Sequence, residues 1–230
     1  MTTMIGYPTR DPGILDPTVL SLYYSTAIVG RDSYWDNGIV WNGFYTALYW
    51  NRLSTPRSRY EWDDNESVKT MTAYMMPWEN SPVIPAGTMQ FPWFDAGLPD
   101  HINYGGLAGA SIGHEMTHHF DTEGREFDKH GGAYSNWWAE ETRANFDKKA
   151  QCIIDQFSNY TVPGLDGDVI HVNGQQTLTE NIADTGGLSF GFEAWQRRAR
   201  SSKGNNKLLP GMEEFTPEQL CFIAYASNYC

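Results

Sequence analysis

His114 and His118 stand four residues apart, with Glu115 directly after the first, in the stretch Gly113-His114-Glu115-Met116-Thr117-His118-His119-Phe120-Asp121. Four residues is about one helical turn, so on a helix the two imidazoles share a face. Both rings can then reach one metal ion. Glu115, rotated by about 100° from His114, addresses a water bound to that ion rather than the ion itself. Zinc suits such a set, because a catalytic zinc takes three imidazole or carboxylate ligands and keeps one position for water. One zinc ion per chain is the expectation.

The third ligand must come from elsewhere in the chain. Glu180-Asn181-Ile182-Ala183-Asp184 places two carboxylates four apart, again on one helical face. Glu180 would complete a His-His-Glu set, and Glu115 would act as general base toward the water. Asp184 and Asp121 are candidates to receive the second N–H of a ligating imidazole, Asp184 first because it lies one turn after Glu180. Thr177-Leu178-Thr179-Glu180 also fits a capping box in which Glu180 folds back onto the helix start, so the residues alone leave Glu180 between ligand and cap. A three-histidine site is excluded: H-E-x-x-H-x-x-G-x-x-H asks for glycine and histidine where the chain has Asp121 and Gly124. His101, His119, His130 and His171 are read as surface or satisfied core residues.

The elements that must position these groups follow from pattern. Small residues fill Asn103 to Ile112 ahead of the motif, and a glycine inside a helix costs about 1 kcal/mol relative to alanine. Gly109 and Gly113 therefore predict either a very close neighbour or an irregular helix start. A strand is expected over Val68–Met76, closed by Pro77, and another around Val83 and Ile84. The first could accept an extended peptide along its edge through main-chain hydrogen bonds, with an ordinary sheet strand as the competing reading.

One helix is expected from Asp32, capped by Asp32 or Ser33, burying Val40, Phe44, Ala47 and Leu48 and stopped by Pro56. A second runs from Asn136 and buries Phe146, Ala150, Ile153, Ile154 and Phe157. Val169–Val172 reads as a short strand, and Thr177 or Thr179 as the cap of the helix carrying Glu180. Thr216, Pro217 and Gln219 form a capping box with proline at the first position of a terminal helix, on which Leu220, Ile223, Ala224 and Ser227 share a side.

Composition sets the class. The chain has 230 residues, 40% of them hydrophobic, enough for one sizeable core, and one compact unit is the default. Sixteen basic against 28 acidic residues give a formal charge of −12, which repels a phosphate backbone and excludes nucleic acid as a partner. No run approaches the roughly 18 apolar residues of a membrane span. The basic cluster Arg197, Arg198, Arg200, Lys203 and Lys207 reads as a solvated loop. Two glycosylation triplets, Asn65-Glu66-Ser67 and Asn159-Tyr160-Thr161, favour an extracellular home. Cys152, Cys221 and Cys230 make an odd count, so at least one thiol is free or pairs outside the chain, and structural or disulfide roles are favoured over a nucleophile. Met1–Pro17 has loop composition and reads as a cut into a longer chain.

With both motifs in hand, the chain resembles the neprilysin family of zinc metallopeptidases, which includes the endothelin-converting enzymes. Ile5-Gly6-Tyr7-Pro8, Ala73-Tyr74, Pro85-Ala86-Gly87, Asn103-Tyr104-Gly105-Gly106, His114 to Asp121, Gly124-Arg125, Trp137-Trp138, Asn173-Gly174, Glu180 to Leu188 and Gln219-Leu220 to Cys230 carry the match. The resemblance implies a mainly α fold with a small β-sheet, a thermolysin-like zinc peptidase catalytic domain. It implies an endopeptidase that hydrolyses oligopeptides on the amino side of hydrophobic residues. Zinc would be held by His114, His118 and Glu180, which favours Glu180 as ligand over Glu180 as cap. Catalytic roles are implied for Glu115, as general base, and for Asp184, which with Asp121 would stand behind the imidazoles.

The chain also departs from that family. Thr72-Ala73 stands where the family usually has Asn-Ala to hold the substrate backbone, so Thr72 and Ala73 are the substrate-binding candidates with a hydroxyl in place of an amide. Thr179 replaces a usual glycine, and Cys221 a usual aromatic. By the same resemblance, residues 1–230 would be part of a catalytic domain. A family N-terminal helical part is missing, as is a C-terminal segment with an oxyanion-binding histidine and a substrate-binding arginine. The family partners of Cys152 and Cys230 would lie outside as well. The expected partners are peptide substrates and the missing segments of the parent chain, itself secreted or the ectodomain of a single-pass membrane protein. A truncated, catalytically weak or inactive relative that binds a peptide or partner protein is the alternative.

Overall fold

A computed structural model describes residues 1–9, 13–55, 61–62, 67–133, 136–201 and 205–229. Pro56, Asn65 and Glu66 of the first glycosylation triplet, Lys203 and Cys230 lie outside the described residues. The chain forms two units, one of Met1–Gly6 with Val68–Cys230 and one of Tyr7–Ser67.

The smaller unit holds two helices, α1 (Pro17–Tyr23) and α2 (Tyr34–Asn51). Asp16 caps the first by accepting from the Thr18 amide, and Ser33 caps the second by accepting from the Asp36 amide. Of the apolar face expected on α2, Phe44 is buried, Val40 and Leu48 are half-buried and Ala47 is exposed. Phe44 sits in an aromatic cluster with Tyr23, Tyr24, Trp41 and Tyr45.

In the larger unit a three-stranded sheet has the order β1 (Met4–Gly6), β3 (Ser81–Pro85), β2 (Tyr74–Met76). The central β3 runs parallel to β1 and antiparallel to β2, with Val83 opposite both Met4 and Tyr74. All five β3 residues are buried, as a strand flanked on both sides and covered on both faces requires. The strand expected over Val68–Met76 is shorter than its pattern suggested, because only Tyr74–Met76 faces a partner, and Pro77 turns the chain out of the sheet.

One long helical run then carries the metal motif: α3 (Asp100–Asn103), a π-wound stretch over Tyr104–Gly113, and α4 (His114–His118). Both expectations for its glycines hold. The start is irregular, and its neighbour is very close. That neighbour is α6 (Leu178–Ala199), whose Gly191 packs against Gly109 so tightly that a methyl group there would stand 2.6 Å from the Gly109 Cα. At the far end Arg198 of α6 pairs with Asp100 at 3.1 Å, tying the two helices together.

Helix α5 (Glu140–Ser158) starts four residues later than Asn136, with Ala150 buried and Phe146, Ile153, Ile154 and Phe157 half-buried as the period requires. The expected strand at Val169 is β5 (Val169–His171), paired antiparallel with β4 (Thr161–Pro163). Helix α7 (Pro217–Ser227) has the full capping box of Thr216 and Gln219. Its buried side differs from expectation: Leu220, Cys221 and Ala224 are buried, while Ile223 and Ser227 are exposed. The reason is that α7 packs on α3 and on the π-wound stretch, where small Cys221 and Ala224 admit the glycine-rich backbone.

Two further histidines occupy the core, His101 and His119. His101 has no exposed surface, packs edge-on against Trp195, and among the described residues neither ring nitrogen has a hydrogen-bond partner. It is therefore neither of the expected alternatives, a surface residue or a satisfied core residue, but a core histidine with both nitrogens unmatched among the described residues. His171 is exposed, with its Nδ1 toward the Ser158 carbonyl.

Candidate metal centre

Helix α4 presents His114 and His118 to the same side, with their rings edge-to-face at 4.5 Å between centroids. The first turn of α6 brings Glu180 to them, Oε2 lying 3.4 Å from His114 Nε2 and 3.6 Å from His118 Nε2. The capping box that competed for Glu180 is not formed. Thr177 occupies the N-cap position without a side-chain cap bond. Its hydroxyl instead donates to the Asn173 carbonyl and accepts from the side-chain Nδ2 of Asn181.

Each imidazole is held from behind by a carboxylate. His114 Nδ1 lies 2.9 Å from Asp184 Oδ1, and His118 Nδ1 lies 2.7 Å from Asp121 Oδ2. A carboxylate only accepts, so both Nδ1 atoms carry the proton and both Nε2 atoms present lone pairs. Those Nε2 atoms are 2.9 Å apart, close enough to act on one cation. Ligands about 2.05 Å from a tetrahedral zinc stand about 3.3 Å from one another. With ligand atoms of His114, His118 and Glu180 all within 4.8 Å of each other, the three fit a zinc ion and leave a side open.

The two supporting carboxylates are themselves fixed differently. Asp121 is 1% exposed, and its Oδ1 accepts from the backbone amides of Glu123 and Gly124 at 2.8 and 2.7 Å. Asp184 is gripped by side chains of α7 and of the turn after it, since its Oδ1 also accepts from the hydroxyls of Tyr225 and Tyr229.

The electrostatics follow from burial and these contacts. Glu115, 7% exposed, has its pKa raised by burial, which His114 and His118 oppose only in part. At His118 burial acts downward, but the hydrogen bond to Asp121 and the charges of Glu115 and Glu180 outweigh it and raise the pKa. Burial acts upward at Asp184, yet the bonds from His114, Tyr229 and Tyr225 hold its pKa below the usual value.

His114, Glu115, His118 and Glu180 open onto a cleft of about 490 Å³ whose opposite wall is β2 and the residues before it. Thr72 and Ala73 line it, Thr72 exposed and Ala73 buried. Because β2 pairs only with β3, its other edge is open among the described residues.

Residues 72–230 match the sequence profile of peptidase family M13. The chain belongs to peptidase family M13. It is 38% identical over 233 residues to an endothelin-converting enzyme homolog of Locusta migratoria, covering 100% of this chain and 30% of that protein. Over 235 residues it is 37% identical to neprilysin-11 of Caenorhabditis elegans, covering 100% of this chain and 26% of that protein. Among solved structures it is similar to a Mycobacterium tuberculosis zinc metalloprotease in complex with an inhibitor, with a TM-score of 0.73, 32% identity, and coverage of 98% of this chain and 32% of that one. A Haemonchus galactose-containing glycoprotein complex matches with a TM-score of 0.77, 28% identity, and coverage of 100% of this chain and 35% of that chain.

The chain thus spans about 30% of the length of the first curated relative. The M13 fold is mainly helical with small sheets, as the sequence resemblance implied, and the family is one of zinc peptidases. Sequence reading missed Tyr225 and Tyr229, whose only signal was a four-residue spacing at the end of a well-capped helix. It also missed the Thr122–Thr179 hydroxyl pair at 2.7 Å, which links the loop after α4 to the start of α6.

Proposed function

We propose that this M13 chain is a zinc-dependent endopeptidase region, with zinc held by His114, His118 and Glu180 and peptides cut on the amino side of hydrophobic residues. The observation that carries the reading is the convergence of Glu180 from α6 on the two imidazoles of α4, with Glu115 beside them on the cleft. Bound zinc supplies a Lewis acid that acidifies water and polarises a peptide carbonyl.

The chain's own residues do the rest. An extended peptide lies along the open edge of β2, its main chain held by strand-like hydrogen bonds, with Thr72 and Ala73 at the entrance. The walls from Met75, Pro77 and Trp78 favour an apolar side chain next to the scissile bond. Glu115 takes a proton from water as its oxygen bonds to the carbonyl carbon. It then delivers that proton to the leaving nitrogen as the C–N bond breaks, so the carboxylate is regenerated. A carboxyl with a raised pKa is suited to both halves of this exchange. Asp121 and Asp184 act through the imidazoles, which they hold in the Nδ1–H tautomer.

Residues 1–230 are read as part of a catalytic domain, in keeping with the share of the relatives that they span. An extracellular location is supported by Asn159, exposed at the end of α5 within a glycosylation triplet. A mass loss on treatment with a glycosidase, absent in Asn159→Gln, tests it.

Elemental analysis after dialysis is expected to find about one zinc per chain and much less in Glu180→Ala. Incubation with a library of short peptides should then give zinc-dependent cleavage before hydrophobic residues. Peptide affinity with no cleavage would favour the binding-only alternative.

A further inference from the structure

Asp184 Oδ1 is the meeting point of three donors. His114 Nδ1 lies at 2.9 Å, the Tyr229 hydroxyl at 2.9 Å and the Tyr225 hydroxyl at 3.1 Å. Tyr225 also reaches the Asp184 main-chain carbonyl at 3.1 Å, so it holds both the carboxylate and the backbone that carries it. The two phenols lie 3.3 Å apart, oxygen to oxygen, and their rings are 5.4 Å apart between centroids.

The other imidazole is served differently. The partner of His118, Asp121, is fixed by backbone amides two and three residues further along its own loop. That support forms wherever the loop forms. Among the described residues, the Asp184 carboxylate is met by side-chain donors and by no backbone amide. Its orientation depends on α7 and the turn after it, more than forty residues later in the chain.

We propose that Tyr225 and Tyr229 are positioning residues of the metal centre, which set the tautomer and direction of His114 by anchoring Asp184. This rests on the reading that His114, His118 and Glu180 hold zinc. Burial, with the Asp184 charge, raises the pKa of both phenols, so each remains an O–H donor over the whole working range. Removing the donors frees the carboxylate to turn, and His114 then loses its fixed Nε2 direction. Outer partners of this kind are typically worth about 10- to 100-fold in metal affinity.

The test is zinc affinity by competition with a chromophoric chelator, on the full 230-residue chain. A Tyr225→Phe/Tyr229→Phe variant keeps both rings and is expected to bind zinc about tenfold more weakly than wild type. On an Asp184→Ala background the same pair should change affinity by less than about twofold, because the residue they act through is gone. Equal losses on the two backgrounds would mean that the tyrosines serve general stability, which overturns the inference. So would a double variant with wild-type affinity. If the Tyr225 change unfolds the chain, Tyr229→Phe carries the test alone, since Tyr229 is 53% exposed. Wild-type protein that binds no zinc overturns the metal reading itself and this inference with it.

Discussion

The backbone of Gly187 on α6 rests against the backbone of His114 on α4: a methyl group at Gly187 would stand 2.6 Å from the His114 amide nitrogen and 3.0 Å from its Cα. The same added group would meet the Gly109 carbonyl oxygen at 2.6 Å. Neither contact is a flexible side chain that can swing away. This approach lets α6 deliver Glu180 to the histidines.

Gly187→Ala is therefore expected to destabilise the chain by about 1–3 kcal/mol, as overpacking of a tight contact does. It should also weaken zinc binding, because the displaced atoms belong to a ligand. Gly38→Ala on the exposed part of α2 is the control, since nothing lies within 4 Å of it. Urea midpoints of the two variants would separate the effects.

Glu180 and Glu115 should divide cleanly by readout. Glu180→Ala removes a ligand and is expected to lose most bound zinc. Glu115→Gln keeps the size and leaves the two imidazoles and Glu180 in place, so zinc stays while hydrolysis falls by at least about 100-fold. Elemental analysis beside a peptide-cleavage assay checks both, and loss of zinc in Glu115→Gln would place that residue among the ligands instead.

His101 should make stability depend on acidity. Its pKa is lowered chiefly by burial, with Asp100 on α3 and Glu218 on α7 pulling it partly back. A depressed folded-state value means that the unfolded chain takes up the proton first as pH falls below about 6.5. Stability is then unaffected by this group above that pH and declines below it, down to the folded-state pKa. His101→Phe keeps a ring against Trp195 and should show a shallower decline between pH 7 and pH 5 in urea unfolding. Parallel curves for wild type and variant would remove His101 as the cause.

The cysteines should differ in reactivity. Cys221 is fully buried, and burial followed by Glu218 pushes its thiol up to about 12, whereas Cys152 is exposed. In a Cys230→Ser background, a thiol reagent at neutral pH is expected to modify one cysteine in the native state and two after unfolding. Mass spectrometry of the labelled peptides identifies which. Native-state labelling of Cys221 would show that α7 opens away from α3.

The metal motif could be read from sequence because helical geometry is local. Residues four apart share a face whatever the rest of the chain does, so spacing alone turns His114 and His118 the same way. Cap chemistry is equally local, and Ser33, Thr216 and Gln219 formed the bonds that their types and spacing required. Strand extent was not legible in the same way. Val68 to Thr72 have strand-like side chains, but a strand exists only where a partner strand pairs with it, and β3 reaches only Tyr74–Met76.

What the sequence determined by itself is therefore the donor types, their pairwise spacing and the family to which the motifs point. Tertiary structure alone decided between Glu180 as cap and Glu180 as a neighbour of the histidines. The two alternatives use the same local residues and differ only in whether α6 can come close enough to α4. It also decided that Asp184 answers to Tyr225 and Tyr229, and that the buried side of α7 turns on Cys221 rather than Ile223. Those outcomes depend on glycine surfaces meeting across long stretches of chain. Periodicity shows that an element has an apolar side, but steric fit against a particular neighbour determines which residues that side places at the site.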